Sequence, residues 1–342
     1  MNNKTLGIIF SNIHDKELAP LTNSRTIGSV PIGGRFRLID FALSNMVHAG
    51  VKNVGVVTKE NYQSLLAHIG SGKAYNLAKK SGGLVLLPPF ANAQKKLYQT
   101  RLDALISIEH FLLKASEPHV LLTDCDSVAN INYLLYVEHH IKNSADITAL
   151  QYKDKNKKSQ LANITIATRT SLLSAINLAK QENLISFSKD ILSRTKTFKI
   201  NYLPLQEKFT PIDSLKSYFN IAKSLLCEKK RNDIFYNQNR PIYTKVQDTC
   251  PVKISRGGLA TNSLIADGCV IEGLVENSIL SRGCYVAKGA VVKNSILFEH
   301  SSVGKNSFLN YIICDNEVHI TDNITLSSHI THPQYMPKGT II

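Results

Sequence analysis

The sequence predicts a doubly wound α/β domain followed by a parallel β-helix. Near its start, an apolar strand, a loop, an amphipathic helix and a second apolar strand follow one another. That alternation is typical of a parallel sheet covered by helices. Near its end, four short motifs recur at steps of 15, 17 and 16 residues. A step of that length indicates coils that stack on one another. We expect the first domain at residues 1–239 and the second at 240–342.

The first domain contains several short apolar runs of the kind found in buried parallel strands. The predicted strands are at residues 6–10, 54–58, 84–87, 120–122 and 164–166. The predicted helices are at residues 38–43, 103–113, 172–178 and 212–226. Because the strand-like runs stop soon after residue 166, we expect a shortened sheet. Such sheets bind ligands at the carboxyl ends of their strands. Asp124 and Asp126 directly follow a predicted strand, either as metal or substrate ligands or as caps of the next turn.

A second feature is the stretch at residues 27–45, which reads IGSVPIGGRFRLIDFALSN. Two glycines and two arginines, Arg35 and Arg37, precede an apolar-periodic helix. This arrangement is suited to binding an anion through backbone N–H groups and guanidinium forks. It is equally consistent with a tight turn whose glycines permit a positive φ and whose arginines are solvated. The residues alone leave both interpretations open.

The repeats at the end of the chain have a common form. Each contains a polar corner and a short β-branched run, beginning at Asn262, Asn277, Asn294 and Asn310. Asparagine and glycine tolerate the positive φ of a tight corner, and β-branched residues pack well in an inward-facing stack. One coil of three short strands per repeat is therefore predicted, since no single coil can bury its apolar face alone.

Composition narrows the possible classes of protein. The chain has 342 residues, 43% of them hydrophobic, and a formal net charge of +14. The basic residues are dispersed and not interleaved with aromatic residues, which argues against nucleic-acid binding. The six cysteines show neither a CxxC pair nor a paired Cys/His spacing, so neither a zinc site nor a disulfide framework is expected. Without a membrane-length apolar run or room for a signal peptide, we expect a soluble, cytoplasmic protein.

Four segments resemble the bacterial glucose-1-phosphate adenylyltransferase (ADP-glucose pyrophosphorylase) family, and in particular its GlgD-type subunits. They are residues 31–45 (PIGGRFRLIDFALSN), 50–56 (GVKNVGV), 71–73 (SGK) and 240–244 (RPIYT). The resemblance covers nearly the whole chain. It implies a nucleotidyltransferase-like (Rossmann-like) domain, degenerate and truncated here, and a left-handed β-helix of hexapeptide repeats. Family enzymes make ADP-glucose from ATP and glucose-1-phosphate for glycogen synthesis, and they form tetramers.

The family's phosphate-binding loop does not carry over. That loop has the pattern GGxGTRLxPLT and wraps the triphosphate with backbone amides and an arginine. Here only its end is kept, as residues 18–22 (LAPLT). Asn12, Ile13 and Asp15 stand at glycine positions, and Glu17 stands at the arginine position. Acidic side chains at these positions would repel a triphosphate, so we expect this loop not to bind it.

Other family positions are only partly kept. Asp103 survives in YQTRLDA (residues 98–104), the counterpart of YxGTADA, and Asp126 survives in the counterpart of the GDH strand end. Both are interpreted as vestigial substrate or metal positions. The second magnesium ligand of the family falls on Pro211, which has no ligating side chain. The sugar-binding EKP segment has no counterpart. We therefore expect no catalytic residue and no metal site in this chain.

The resemblance and the altered positions together predict a non-catalytic regulatory subunit. Its expected partner is a catalytic glucose-1-phosphate adenylyltransferase in a heterotetramer, and Mg²⁺ and ATP are expected at that partner and not here. Arg35 and Arg37 are candidate contacts for a small anionic effector. The alternative is a divergent but active sugar-1-phosphate nucleotidyltransferase, for which remaining arginines would supply the cations. An acyltransferase with His300 or His319 as base is a third hypothesis. Neither nucleic acid nor membrane is an expected partner.

Overall fold

The computed structural model describes residues 5–79, 82–88, 98–154 and 156–342. The first part of the chain forms a seven-stranded sheet and a small hairpin. The strands are β1 (Thr5–Phe10), β2 (Pro31–Ile32), β3 (Phe36–Arg37), β4 (Asn53–Val57), β5 (Gly83–Leu87), β6 (His119–Asp124), β7 (Ile147–Lys153), β8 (Ser159–Thr168) and β9 (Ile200–Pro204). The helices are α1 (Leu38–His48), α2 (Gln63–Ile69), α3 (Arg101–Ser107), α4 (Glu109–Lys114), α5 (Tyr133–Lys142), α6 (Arg169–Glu182), α7 (Leu215–Ser224) and α8 (Glu228–Phe235).

The large sheet has the order β5–β4–β1–β6–β8–β7–β9. Strands β5, β4, β1 and β6 are parallel, as the apolar runs predict. Strand β8 is antiparallel to both of its neighbours, and β9 is parallel to β7. Every residue of β1 is buried. Helix α1 packs closely on this strand, since a Cβ added to Gly7 would lie 2.5 Å from Met46 Sδ.

The sheet extends further than the sequence patterns indicate. The predicted strand at residues 164–166 is the middle of β8, but β7 and β9 were not predicted. Strand β9 reads INYLP and alternates between half-buried and exposed positions at the sheet edge, so it lacks the continuous apolar run of a central strand. The helix predicted at residues 103–113 is instead two helices, α3 and α4, which meet at Ile108.

The second part of the chain is a parallel β-helix. Its strands are β10 (Lys253–Ile254), β11 (Leu259–Thr261), β12 (Leu264–Ile265), β13 (Val270–Ile271), β14 (Leu274–Glu276), β15 (Ile279–Leu280), β16 (Tyr285–Val286), β17 (Val291–Lys293), β18 (Ile296–Leu297), β19 (Ser302–Val303), β20 (Phe308–Asn310), β21 (Ile312–Cys314), β22 (His319–Ile320), β23 (Thr325–Ser327) and β24 (Gln334–Met336). They form three five-stranded sheets, each with one strand per coil. The predicted coil of three short strands is confirmed.

The register of the coils refines the predicted repeat. Ile279 pairs with Ile296, and Ile296 pairs with Ile313, so the last step is 17 residues and not 16. Tyr311, and not Asn310, holds the positive-φ corner of that coil (φ 57°). Two asparagine corners also bond along the stack, with Asn262 Nδ2 donating to Asn277 Oδ1 at 2.6 Å. Asn294 Nδ2 donates to Asn310 Oδ1, beside the tyrosine corner, at 3.0 Å. Coil stacking therefore tolerates a tyrosine at a corner where the sequence pattern favours asparagine.

The hairpin β2–β3 and helix α1 lie where the two parts of the chain meet. Ile32 and Phe36 belong to the same buried cluster as Ile279, Ile296 and Phe298 of the β-helix. Phe36 also stacks on Phe235 with ring centroids 4.3 Å apart. The boundary predicted at residue 240 falls in the segment between α8 and β10, and it stays a prediction. Within the described ranges, no helix is long and apolar enough to cross a membrane.

The stability of this fold is expected to fall in acid because of a buried histidine. His140 on α5 is fully buried, bonds Thr148 Oγ1 at 2.8 Å and faces His119 edge-on. Burial and the neighbouring His119 lower its pKa to about 4, against a small opposing effect of Asp146. In the unfolded chain this histidine has its ordinary pKa of about 6.5. The stabilisation that comes from neutral His140 is therefore fully present above pH 6.5 and is lost as the pH falls towards 4.

We therefore expect the free energy of unfolding to fall by about 2 kcal/mol between pH 7.5 and pH 5 through His140 alone. Urea unfolding at a series of pH values measures this loss, and the variant His140→Gln should show a correspondingly flatter acid limb. The control is His329→Gln, which alters an exposed histidine and should leave the wild-type profile intact. If the free energy of unfolding depended on pH in the same way for wild type and His140→Gln, the acid-induced loss would not come from His140.

Candidate functional site

The candidate site lies at the carboxyl ends of β1 and β6, where a doubly wound sheet binds its ligands. These strands are adjacent and pair in register up to Phe10 and Asp124. The loop that leaves β1 therefore meets residues 124–127 at one edge of the sheet. A cavity of about 270 Å³ opens here, and Ile13, His14, Arg101 and Asp124 are among its lining residues. The candidate site predicted after β6 is thus on a cavity, together with the altered loop.

The loop after β1 is closed by its own polar side chains. Asp15 Oδ1 accepts a hydrogen bond from the backbone N–H of Ile27 at 2.9 Å, and Asp15 Oδ2 accepts one from Asn12 Nδ2 at 2.6 Å. Asn12 Oδ1 in turn accepts the N–H of Lys59 at 3.1 Å. Burial raises the pKa of Asp15. The side chains at two former glycine positions are thus bonded to each other and to backbone N–H groups outside the loop, at Ile27 and Lys59.

Two cationic side chains converge on the carboxylate of Asp124. His14 Nε2 lies 2.8 Å, and Arg101 Nη2 lies 2.6 Å, from Asp124 Oδ2. Burial would lower the pKa of His14, but its hydrogen bond to Asp124 and the charges of Asp124, Asp126 and Glu17 raise that pKa to about 9. Burial would raise the pKa of Asp124, but Arg101 and His14 keep it below its ordinary value. Asp124 Oδ1 is buried and has no hydrogen-bond partner among the described residues.

Asp126 lies behind this pair. Its side chain is 7% exposed, and its Oδ2 is 3.8 Å from His14 Nε2. Asn163 Nδ2, on β8, donates to the same oxygen at 3.3 Å. Burial first, and then the negative charge of Asp124, raise the pKa of Asp126 to about 6. The donor atoms of His14, Asp124 and Asp126 all lie within 4.8 Å of one another.

Comparison with known proteins identifies the family. The nucleotidyl transferase family model matches residues 7–160, and the model of the GlmU-like C-terminal hexapeptide matches residues 249–332. The glycogen biosynthesis protein GlgD of Geobacillus stearothermophilus is 33% identical over 85% of this chain and 84% of its own length. This chain belongs to the GlgD-type branch of the bacterial glucose-1-phosphate adenylyltransferase family. GlgD of Bacillus subtilis is 29% identical over 99% of this chain and 97% of its own length. A glucose-1-phosphate adenylyltransferase of Fervidobacterium nodosum is 27% identical over 97% of this chain and 88% of its own length.

The two-carboxylate magnesium site implied by the family does not fit these residues. Pro211 is next to the site, as the sequence resemblance implies, because Ser127 and Pro211 form a β-bridge and the N–H of Ile212 donates to the carbonyl oxygen of Asp126 at 2.6 Å. The position opposite Asp126 thus holds a side chain without a ligand atom. Of the expected pair of carboxylates, Asp126 alone is present.

Asp103, the other vestigial position, has a structural use. Its Oδ2 accepts the backbone N–H groups of Thr100 at 3.2 Å and Gln99 at 3.3 Å, and its own N–H donates to Thr100 Oγ1. These bonds form a capping box at the start of α3. Arg101, from the same turn, is the residue that enters the polar cluster. The survival of Asp103 in this GlgD-type chain is therefore explained by helix capping.

Arg35 and Arg37 lie apart from this cluster, at the junction of the two domains. Arg37 Nη1 donates to Ser64 Oγ at 2.6 Å and to Ser64 O at 3.0 Å, and Arg37 Nη2 lies 3.8 Å from Glu299 of the β-helix. Burial lowers the pKa of Arg37. Arg35 is exposed and stacks on Phe36, with Cζ 5.1 Å from the ring centroid. An anion contact at either arginine stays a prediction.

The two histidines considered as acyl-transfer bases lie on the β-helix surface. His300 occupies a coil corner with φ 60°, and His319 Nδ1 lies 2.8 Å from Ser302 Oγ.

His14 and Arg101 are the functional candidates that the sequence did not single out. Both lie in segments that depart from the family pattern: His14 is within the altered phosphate loop, and Arg101 is within residues 98–104, the counterpart of YxGTADA. Their meeting at Asp124 required the register of β1 against β6.

Proposed function

We propose that this chain is a non-catalytic regulatory subunit, which assembles with a catalytic glucose-1-phosphate adenylyltransferase and raises its activity or alters its effector response. A role in glycogen biosynthesis is supported by the GlgD relatives. The single observation that carries the proposed non-catalytic, regulatory role is the closed loop after β1. Where the family places glycines and an arginine around a triphosphate, this chain has Asp15 and Asn12 bonded to each other and to the backbone.

Electrostatics support the same proposal. Phosphoryl and nucleotidyl transfer depend on cations positioned around the phosphates. The two cations of this cluster, His14 and Arg101, are already paired with Asp124, and Glu17 lies 3.1 Å from His14 Nδ1. A triphosphate entering the cavity would meet the carboxylates of Asp124 and Glu17, with that of Asp126 behind them. Breaking these buried pairs would be costly, because it would leave charges uncompensated. Mg²⁺ and ATP are accordingly proposed at the partner subunit.

The experiment is co-expression of this chain with a catalytic subunit from the same organism, followed by measurement of the mass of the complex and of the rate of ADP-glucose formation. We expect a mixed tetramer whose rate or effector response differs from that of the catalytic subunit alone. A chain that stays apart from the catalytic subunit and leaves its rate unchanged would refute the proposal. The alternative, a divergent active nucleotidyltransferase, rests on the retained Asp126, and it predicts that Asp126→Asn abolishes turnover by the isolated chain.

The arginines at the domain junction give a separate prediction about assembly. Replacing both Arg35 and Arg37 with alanine should weaken the mixed complex or its effector response by about tenfold, a change of about 1.4 kcal/mol. Arg37 links the start of α1 to Ser64 and to Glu299 of the β-helix, so the variant also loosens the junction of the two domains. Light scattering of the mixture measures the complex. Arg194→Ala, at an arginine paired with Glu182 on α6, is the control and should assemble as wild type does.

A further inference from the structure

The geometry of the cluster after β1 and β6 points to a binding site for a first-row divalent metal ion, of the Zn²⁺ or Co²⁺ type, held by His14 Nε2 and one carboxylate oxygen each from Asp124 and Asp126. This site differs from the two-carboxylate magnesium site of the family, because its nitrogen ligand comes from the altered loop. Within the described ranges it is also the sole group of three or more His, Cys, Asp or Glu side chains with donor atoms this close together.

The distances favour coordination with little rearrangement. His14 Nε2 lies 2.8 Å from Asp124 Oδ2 and 3.8 Å from Asp126 Oδ2, and all three donor atoms are within 4.8 Å. Ligands bound about 2.1 Å from a tetrahedral zinc-like ion stand roughly 3.4 Å from one another. The cluster brackets that spacing. One imidazole and two carboxylates are also a ligand set that suits first-row metals better than Mg²⁺, which prefers oxygen ligands and water.

An unpaired buried atom provides an independent indication of a ligand. In the part of the chain that the structure describes, Asp124 Oδ1 has no hydrogen-bond partner, although the Asp124 side chain is only 1% exposed. Buried carboxylate oxygens are normally hydrogen-bonded or bound to a metal. Arg101 and His14 share the other oxygen, Oδ2. Oδ1 is therefore free to bind an ion while Arg101 stays on Oδ2, and the 2.8 Å contact of His14 Nε2 with Oδ2 places this carboxylate beside the imidazole.

The surroundings of His14 match those of a metal-binding histidine. Its Nδ1 lies 3.1 Å from Glu17 Oε2, and its Nε2 faces the two aspartates. A carboxylate on the far nitrogen is the usual way to fix the tautomer and orientation of such a ligand. Charge also favours a cation here, because Arg101 faces the three carboxylates of Asp124, Asp126 and Glu17, and a divalent ion bound to neutral His14 would bring the sum of these charges to zero. The cavity of about 270 Å³ beside His14 gives an ion a path to the site.

The test is a titration of the full chain, stripped with a chelator, with Co²⁺ and with Zn²⁺ alone. We expect one ion per chain, a visible absorption band for the Co²⁺ form, and a rise in the unfolding temperature. Mg²⁺ at the same concentrations should give none of these. His14→Gln and Asp126→Asn should abolish the band, and Glu17→Gln should weaken binding by about 10- to 100-fold because it removes the orienting carboxylate.

Two controls distinguish the proposed site from adventitious binding and from loss of the fold. The exposed pair His329 and His332 lies within one short turn and is the expected place for adventitious binding, so the double variant His329→Gln/His332→Gln should keep the full signal. Circular dichroism of each variant shows whether it is folded, and Glu17→Gln alters an exposed side chain whose loss the fold should tolerate. Absence of binding, or binding that survives His14→Gln and is lost in the double histidine variant, would overturn the proposal. Because the test uses no nucleotide and no partner, its outcome is independent of the proposed regulatory function.

Discussion

Replacing Arg25 with alanine is expected to lower the free energy of unfolding by about 3–5 kcal/mol. Arg25, in the loop after β1, forms two hydrogen bonds with Asp315 of the β-helix, from Nη1 to Oδ2 at 2.9 Å and from Nη2 to Oδ1 at 2.5 Å. Their side chains are 5% and 0% exposed. Removing the arginine leaves the Asp315 carboxylate buried without its counter-charge, with Tyr335 and the backbone N–H of Asn316 as remaining donors.

Urea unfolding at neutral pH measures this effect, with two control variants. Lys293→Ala breaks an exposed ion pair with Glu276, whose atoms are 3.0 Å apart, and such pairs contribute about 0–1 kcal/mol. Arg25→Lys keeps the charge but not the two-pronged geometry, so it should recover part of the loss. If Arg25→Ala were no more destabilising than Lys293→Ala, the buried pair would not be what joins the two domains.

The second large effect is expected from Asp40→Ala, at about 3 kcal/mol. Asp40 is fully buried in the first turn of α1. Its Oδ1 is 2.6 Å from both His68 Nε2 and the hydroxyl oxygen of Tyr75, and its Oδ2 accepts the N–H of Arg37 at 2.9 Å. Burial and the charge of Asp40 raise the pKa of Tyr75, so the phenol stays a donor. Alanine would leave two buried donors unsatisfied and remove a helix cap.

Thermal and urea unfolding measure the cost of this change. The matched control is Asp190→Ala, at a half-buried aspartate that accepts the N–H groups of Ile185 and Ser186. Those N–H groups can bond water instead, so that control should lose much less stability. Similar losses for the two variants would show that the His68 and Tyr75 contacts add nothing to stability. A large loss for Asp40→Ala supports a structural reason for keeping the residue 31–45 segment in a chain whose phosphate loop has changed.

Much of the fold could be predicted because its signals are local. Strands β1, β4 and β6 are short apolar runs, and buried parallel strands are continuous in this way. The β-helix is recognisable by its period. Strand β9 was missed because an edge strand needs no apolar run, and the fourth coil was misplaced by one residue because Asn310 precedes a corner that Tyr311 occupies. Such details depend on packing against neighbours, which a local pattern does not contain.

The candidate site was predictable in part. Asp126 and the altered loop could be found from the family pattern, since both lie at positions with a known counterpart. His14 and Arg101 also lie in altered motifs, but their role could not be predicted, because it arises from contact with Asp124 across a sequence separation of 110 residues for His14. For Asp103 the structure adds a capping role that the family motif does not indicate, and its interpretation as a vestigial substrate or metal position stays a prediction.

The central claim is that this chain does not catalyse nucleotidyl transfer, and one measurement tests it most directly. The purified chain is incubated alone at high concentration with ATP, glucose-1-phosphate and Mg²⁺, and ADP-glucose is measured over a period long enough to detect a single turnover. We expect no product above background, and an unchanged result for Asp126→Asn. Repeated turnover by the wild-type chain, abolished by Asp126→Asn, would contradict this claim and establish an active enzyme.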